Sequence, residues 1–254
     1  MEFTTHTLVL IAVIVTLASI LQSLVGFGFA IFAVPPLLLL GLPLPQAVAI
    51  ALAGTFVQGV VAAVRLHGHI QWRAIAPLTT MRLLLIPVGI LLMALLVELG
   101  EAQTKQGVGA VLLLSLILWG AVRVQPRERL HAGWGVAAGI GSGLLGGSVG
   151  MGGPPCVLWA LAHRWNSEQL RASLFTIFSL TVPPEFILLK LKFGMEPIYA
   201  GLFGLALTPL VAAGTTLGLW LSTHVPTAHL RRAMIGLLAV LAVYAIVQPL
   251  IGRG

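Results

Sequence analysis

The sequence predicts an all-α polytopic membrane protein, and three observations carry that prediction. Of its 254 residues, 58% are hydrophobic and only 8% are charged, where a soluble domain carries roughly 25% charged residues. The apolar residues run in stretches of helical length, and short connectors hold most of the charge. No stretch alternates at period two as a membrane β-barrel requires, so the spans are helices, which satisfy their own backbone in hydrocarbon.

The apolar stretches, in order, cover 7–25, 29–42, 46–64, 74–97, 107–122, 132–149, 153–162, 172–189, 197–221 and 233–251. Met1–Thr7 holds no Lys or Arg and no cleavage pattern follows, so the first stretch is expected to be a retained span rather than a removed signal. The second and seventh stretches are shorter than the ~20 residues of one crossing. Both start at a glycine break and carry a proline pair, Pro35-Pro36 and Pro154-Pro155. The remaining stretches read as fuller spans, bounded by the charges around Arg65–Arg73, Glu98–Lys105, Arg123–Arg129 and His229–Arg232. All six tryptophans (72, 119, 134, 159, 165 and 220) fall near stretch ends, as in an aromatic belt at the membrane surface.

Composition narrows the function. The chain has no Asp, and Cys156 is its one cysteine, which excludes an internal disulfide and a CxxC metal or redox pair. A net charge of +7 comes from 14 Lys and Arg dispersed through connectors. That pattern sets topology and meets anionic lipid instead of nucleic acid. The expected partners are the bilayer and a small anionic substrate, with proton or ion coupling; no cofactor or metal is expected, and a homo-oligomer is left open.

Laid on itself, the chain repeats. Gly26-Phe27-Gly28-Phe29 matches Gly150-Met151-Gly152-Gly153 at an offset of 124, Gly68 matches Gly194 at 126, and Gly89 matches Gly214 at 125. Residues 1–124 and 125–254 thus form two homologous membrane repeats, each with a Gly/Pro-broken first helix. If the short pieces cross, each half has five crossings and the repeats are inverted. Nine Lys and Arg then lie inside and four outside. If the pieces are re-entrant, each half crosses four times, the repeats are parallel and the split is eight to five. The larger asymmetry selects inversion, within eight to ten membrane segments.

A helix broken inside the membrane leaves backbone groups unpaired, which hydrocarbon tolerates only around a cavity. Breaks at matching places in two repeats point to a transporter's central site. The amides opening each second piece sit at the positive end of a helix dipole and suit an anion. Gly26, Gly28, Gly150, Gly152 and Gly153 are therefore expected to bind substrate. Arg82, nine residues into its span and about 12 Å deep at 1.5 Å per residue, is the expected counter-charge, with pairing to Glu185 or to a helix C-terminus as its structural alternative. Gln22, Ser23, Thr55, Gln58, Ser142, Ser148, Thr176 and Ser179 are candidate side-chain ligands. Glu185 is a proton-coupling candidate, or it reaches the interface near Lys190. The i+4 series Gly135, Gly139, Gly143 and Gly147 reads as helix packing, as do Gly214 and Gly218.

Enzymatic motifs fail on context. Gly146–Gly150 fits G-x-S-x-G, but no strand precedes it and no Asp exists to orient a histidine. An intramembrane enzyme and a non-transporting scaffold are the rivals from other classes; a transporter of another carboxylate, a cation or a neutral solute is the rival within the class.

Gly26-Phe27-Gly28-Phe29 before Val34-Pro35, and Gly150-Met151-Gly152-Gly153-Pro154, each followed by a small-residue helix, resemble the sulfite exporter TauE/SafE-like family and its toluene-sulfonate uptake relatives. The resemblance covers nearly the whole chain. It implies a secondary transporter, often an exporter, of sulfite, sulfonates or similar anions in a bacterial inner membrane, built from a duplicated four-span unit with seven or eight spans. Phe29 and Pro154 depart from the family's glycine-rich pattern, and the bulk of Phe29 is expected to narrow the first cradle.

Overall fold

The computed structural model describes residues 5–25, 28–121, 124–128, 130–224 and 227–251. They fold as α1 (Thr5–Val25), α2 (Phe29–Leu39), α3 (Leu44–Arg65), a 3-10 turn (His67–His69), α4 (Trp72–Glu98), α5 (Glu101–Ala121), α6 (Ala132–Val149), α7 (Gly153–Leu161), α8 (Ser167–Phe193), α9 (Glu196–Ala206), α10 (Thr208–His224) and α11 (Thr227–Ile251). No named strand occurs among them.

Every predicted stretch falls on a helix, and the ninth falls on two. Pro209 has no N–H and its ring crowds the carbonyl four residues back, so α9 ends at Ala206 and α10 restarts at Thr208 with a 54° bend. Among the described residues, four helices are long and apolar enough to cross a membrane: Thr5–Leu24, Leu44–Arg65, Trp72–Glu98 and Ser167–Phe193. The bent α9–α10 pair makes a fifth if it is one span. α8 begins five residues before its apolar run because Asn166 and Gln169 form a capping box, each side chain bonding the other's backbone N–H.

Both glycine breaks are present. α1 stops at Val25 and α2 begins at Phe29 after Gly28, whose φ is +99°. α6 stops at Val149, Gly150 adopts φ +75°, and α7 begins at Gly153. Gly26 lies outside the described residues.

The closest packing joins distant elements. α6 lies along α4, with Gly139, Gly143 and Gly147 against the carbonyls of Leu78, Arg82 and Ile86, one per turn; an added Cβ would fall 2.5, 2.7 and 2.5 Å from these oxygens. α1 lies along α10, where a Cβ on Gly214 or Gly218 would meet the carbonyls of Thr16 and Ile20 at 2.8 and 2.5 Å. α11 packs on α5, and α3 on α8 and α9. The main core gathers Phe29, Val34, Leu37, Ile50, Ile86, Met93 and Met151; a second core gathers Ile75, Leu78, Val157, Trp159 and Leu174. Leu84, Leu91 and Leu95 of α4 and Leu217 and Trp220 of α10 turn outward, an apolar exterior that suits lipid. Trp159 is not on that exterior: it is 6% exposed, so the aromatic belt lacks it.

Candidate functional site

The two breaks and Arg82 meet. A chamber of about 30 Å³ is lined by Gln22, Gly28, Phe29, Thr55, Arg82 and Gly150–Gly153, with Phe178 and Val182. That is room for a water or two and not for a larger solute. Phe29 accounts for part of the narrowness: its ring fills the place of a Cβ at Gly54, 2.4 Å away.

Arg82 of α4 is held from two other helices, α6 and α8. The glycine seam of α6 lets α4 approach until the guanidinium lies in a notch whose walls are Gly146 and Gly152. A Cβ on Gly152 would stand 2.0 Å from Nη1, and one on Gly146 would stand 3.0 Å from Nη1 and Nη2. Nε donates to Thr181 Oγ1 at 3.0 Å, Nη1 to the Ser142 carbonyl at 2.9 Å and to Ser142 Oγ, and Nη2 to Glu185 Oε2 at 3.5 Å. These acceptors take four of the five guanidinium N–H groups. Ser142 Oγ in turn donates to the Gly152 carbonyl at 2.6 Å and accepts from Cys156 Sγ at 3.0 Å. Arg82 thereby ties the second break to α4 and α8. Phe178 completes the surround, its ring centroid 5.3 Å from Cζ.

Glu185 is 1% exposed and is paired with Arg82, the structural alternative the sequence left open, instead of reaching the interface beside Lys190. Its Oε1 has no protein hydrogen-bond partner. The other candidates divide. Gln22 (2% exposed) lines the chamber, and its Oε1 is unpartnered. Thr55 lines it too, with its hydroxyl donated to the Ala51 carbonyl. Ser23 and Gln58 line a separate, larger cavity that also reaches Gln22. Ser148 and Ser179 are not among the residues lining either space; Ser179 donates to the Phe175 carbonyl and fills the space beside Gly59.

At the second break the Gly150 and Met151 amides donate to the Gly146 and Leu145 carbonyls at 2.8 and 3.1 Å, so the amide expected at Gly150 is already engaged. Pro154 and Pro155 open α7 and carry no N–H, which leaves Gly152 and Gly153 as the candidate donors of that turn. Sequence reasoning missed Thr181, took Ser142 for a substrate ligand where it is a partner of Arg82, and missed Arg65 and Arg171 as cavity residues. The two arginines had been assigned to topology. The i+4 spacing of Leu78, Arg82 and Ile86 along α4 is what sets their carbonyls against the glycine series on α6.

The chain is 27% identical over 162 residues to "Probable sulfite/organosulfonate exporter TauE" of Cupriavidus necator, an alignment covering 63% of each chain. It thus spans a little under two thirds of that relative's length. No solved structure matches the chain. The family model "Sulfite exporter TauE/SafE" matches residues 11–245, so this multi-pass membrane protein belongs to the sulfite exporter TauE/SafE family.

Proposed function

We infer that the chain is a secondary transporter that exports small sulfur-containing anions, sulfite or organosulfonates, across the inner (plasma) membrane by alternating access. The single observation that carries the reading is the chamber: two interrupted helices and a buried arginine share one narrow space. The remaining Nη2 hydrogen of Arg82, the amides of Gly152 and Gly153, and Gln22 supply donors to an anion there. A sulfur oxyanion is larger than the chamber, so substrate enters only when the walls part.

Glu185 carries the coupling proton in this scheme. An anion arriving at Arg82 competes with the Glu185 carboxylate, and protonation of Glu185 removes the competitor. The energy then comes from an ion gradient or from the substrate's own gradient; the sequence offers no Walker A loop.

Duplication is supported by corresponding contacts. If α1, α2 and α3 correspond to α6, α7 and α8, and α4 to the bent α9–α10, then the α1–α10 and α6–α4 seams are equivalents, both glycine-lined. Gly89 and Gly214 occupy these seams in both halves. Each seam joins a helix of 1–124 to one of 125–254, which favours moving bodies that mix the halves over one repeat rocking against the other.

The test is sulfite and sulfonate flux in proteoliposomes. Arg82→Ala is expected to abolish flux, Arg82→Lys to retain part of it, and Glu185→Gln to remove its response to a pH gradient. Full flux in Arg82→Ala overturns the counter-charge assignment.

A further inference from the structure

Away from Arg82, a cavity of about 330 Å³ lies between the C-terminal parts of α1 and α3, the start of α8 and the middle of α10. Its charged lining residues are Arg65 and Arg171, and no acidic side chain lines it. Neither arginine has an ion-pair partner among the described residues. Val57, Val61, Phe175 and Leu219 make apolar walls. Gln22 and Gln58 also line it, 2% and 9% exposed, and the Oε1 of each is buried without a protein hydrogen-bond partner. The Gln58 amide is fixed in its orientation. Its Nε2 donates to Thr215 Oγ1, whose own hydrogen goes to the Val211 carbonyl, so the carboxamide oxygen is the atom left bare. A buried acceptor without a donor costs about 1–3 kcal/mol. The cavity therefore calls for negative charge at the arginines and for N–H or O–H donors at the glutamines.

We propose that this cavity is a second anion site, built for a small organic anion that carries a hydroxyl or amino group. Arg65 and Arg171 hold the anionic group, and the carboxamide oxygens of Gln22 and Gln58 accept from the donor. Gln22 also lines the chamber beside Arg82, so a ligand held here waits next to the centre; that staging role rests on the transport reading, whereas the binding itself does not. The same chemistry occurs in soluble hydroxyalkylsulfonates and in the phosphatidylglycerol headgroup. The site is assigned to the soluble anion because about 330 Å³ suits a small solute and not a lipid's acyl chains.

The test compares 2-hydroxyethanesulfonate with ethanesulfonate, equal in charge and close in size, by titration calorimetry on the full chain in phosphatidylcholine nanodiscs. The wild type is expected to bind the hydroxyl compound about tenfold more tightly, the worth of one satisfied buried acceptor. Gln58→Leu is expected to erase that preference while keeping ethanesulfonate affinity. Arg65→Gln with Arg171→Gln weakens both ligands alike. No preference in the wild type, or one that survives both Gln58→Leu and Gln22→Leu, overturns the proposal. Loss of probe binding in nanodiscs containing phosphatidylglycerol also overturns it, since the lipid then occupies the cavity. Sulfite flux on the same preparations separates the two ideas: lost flux with intact preference removes the transport reading, and intact flux without preference removes the site.

Discussion

Arg82 and Glu185 hold one another in the core through a single contact of 3.5 Å, at 3% and 1% side-chain exposure. Removing one member leaves the other as an unpaired buried charge, which costs about 3–5 kcal/mol, whereas apolar replacement of both is near neutral. Arg82→Met and Glu185→Leu are each expected to lower the unfolding midpoint in detergent steeply, and the double variant to recover most of the loss. Additive losses would mean that the pair is not coupled. Arg82 was legible in the sequence because a lone arginine deep in an apolar run has few reasons to exist. Its partner was harder to read. The apolar run containing Glu185 stops at Leu189, yet the helix starts at Ser167 on its capping box and continues to Phe193, which sets Glu185 deeper than the run implies. Glu185 could be named only as one alternative, because nothing in local sequence singles out a partner 103 residues away.

At the level of elements, glycine means different things at different places. Gly147 sits where a Cβ would strike the Ile86 carbonyl at 2.5 Å and the Gly89 backbone at 2.9 Å, while Gly236 in α11 has nothing within 4 Å of an added Cβ. Gly147→Ala is therefore expected to part α4 from α6 and lower stability, and Gly236→Ala to raise it by up to about 1 kcal/mol through helix propensity; thermal melts of the two variants check the sign. The i+4 glycine series was readable as packing from spacing alone. The α9–α10 break was not, because Pro209 lies inside a run that remains apolar throughout. The α7–α8 connector offers a separate test. His163 stacks on Trp165 at 4.2 Å, meets Trp159 edge-on at 4.6 Å and donates through Nδ1 to the Trp159 carbonyl at 3.1 Å. Burial pushes its imidazole below the ordinary value of 6.5, opposed by that hydrogen bond. The folded state thus binds this proton less readily than the unfolded chain. Its stability is whole above the ordinary histidine value and falls as pH drops through and below it. His163→Phe keeps the ring contacts and is expected to flatten that decline in melts run from about pH 7.5 to about pH 5; an unchanged slope would assign the decline to another group.

Across the whole molecule, the tightest seams run between the halves and not within them. α1 belongs to the first half and α10 to the second, yet Gly214 and Gly218 bring them into backbone contact; α4 and α6 meet in the same way from opposite halves. Two surfaces joined at backbone distance by glycine have no slack to slide or separate, because packed interiors shift between discrete arrangements instead of stretching. If the chamber opens by relative motion of two bodies, each seam therefore stays inside one body, and the opening occurs where side chains such as Phe29 and Phe178 fill the gap. A disulfide across a seam distinguishes this from one repeat rocking on the other. In a Cys156→Ala background, Ser19→Cys with Gly214→Cys places a thiol pair near bonding range once α1 shifts to relieve the 2.8 Å approach of the new Cβ to the Thr16 carbonyl: the Ser19 Cβ lies 3.3 Å from an ideal Cβ at Gly214, just under the 3.5–4.5 Å usual for a disulfide. Oxidation is expected to leave proteoliposome flux at the rate of the reduced protein, since the bond stiffens a pair that already moves together. Flux that stops on oxidation and returns on reduction would mean that α1 and α10 part during each cycle, and that residues 1–124 and 125–254 move as separate bodies after all.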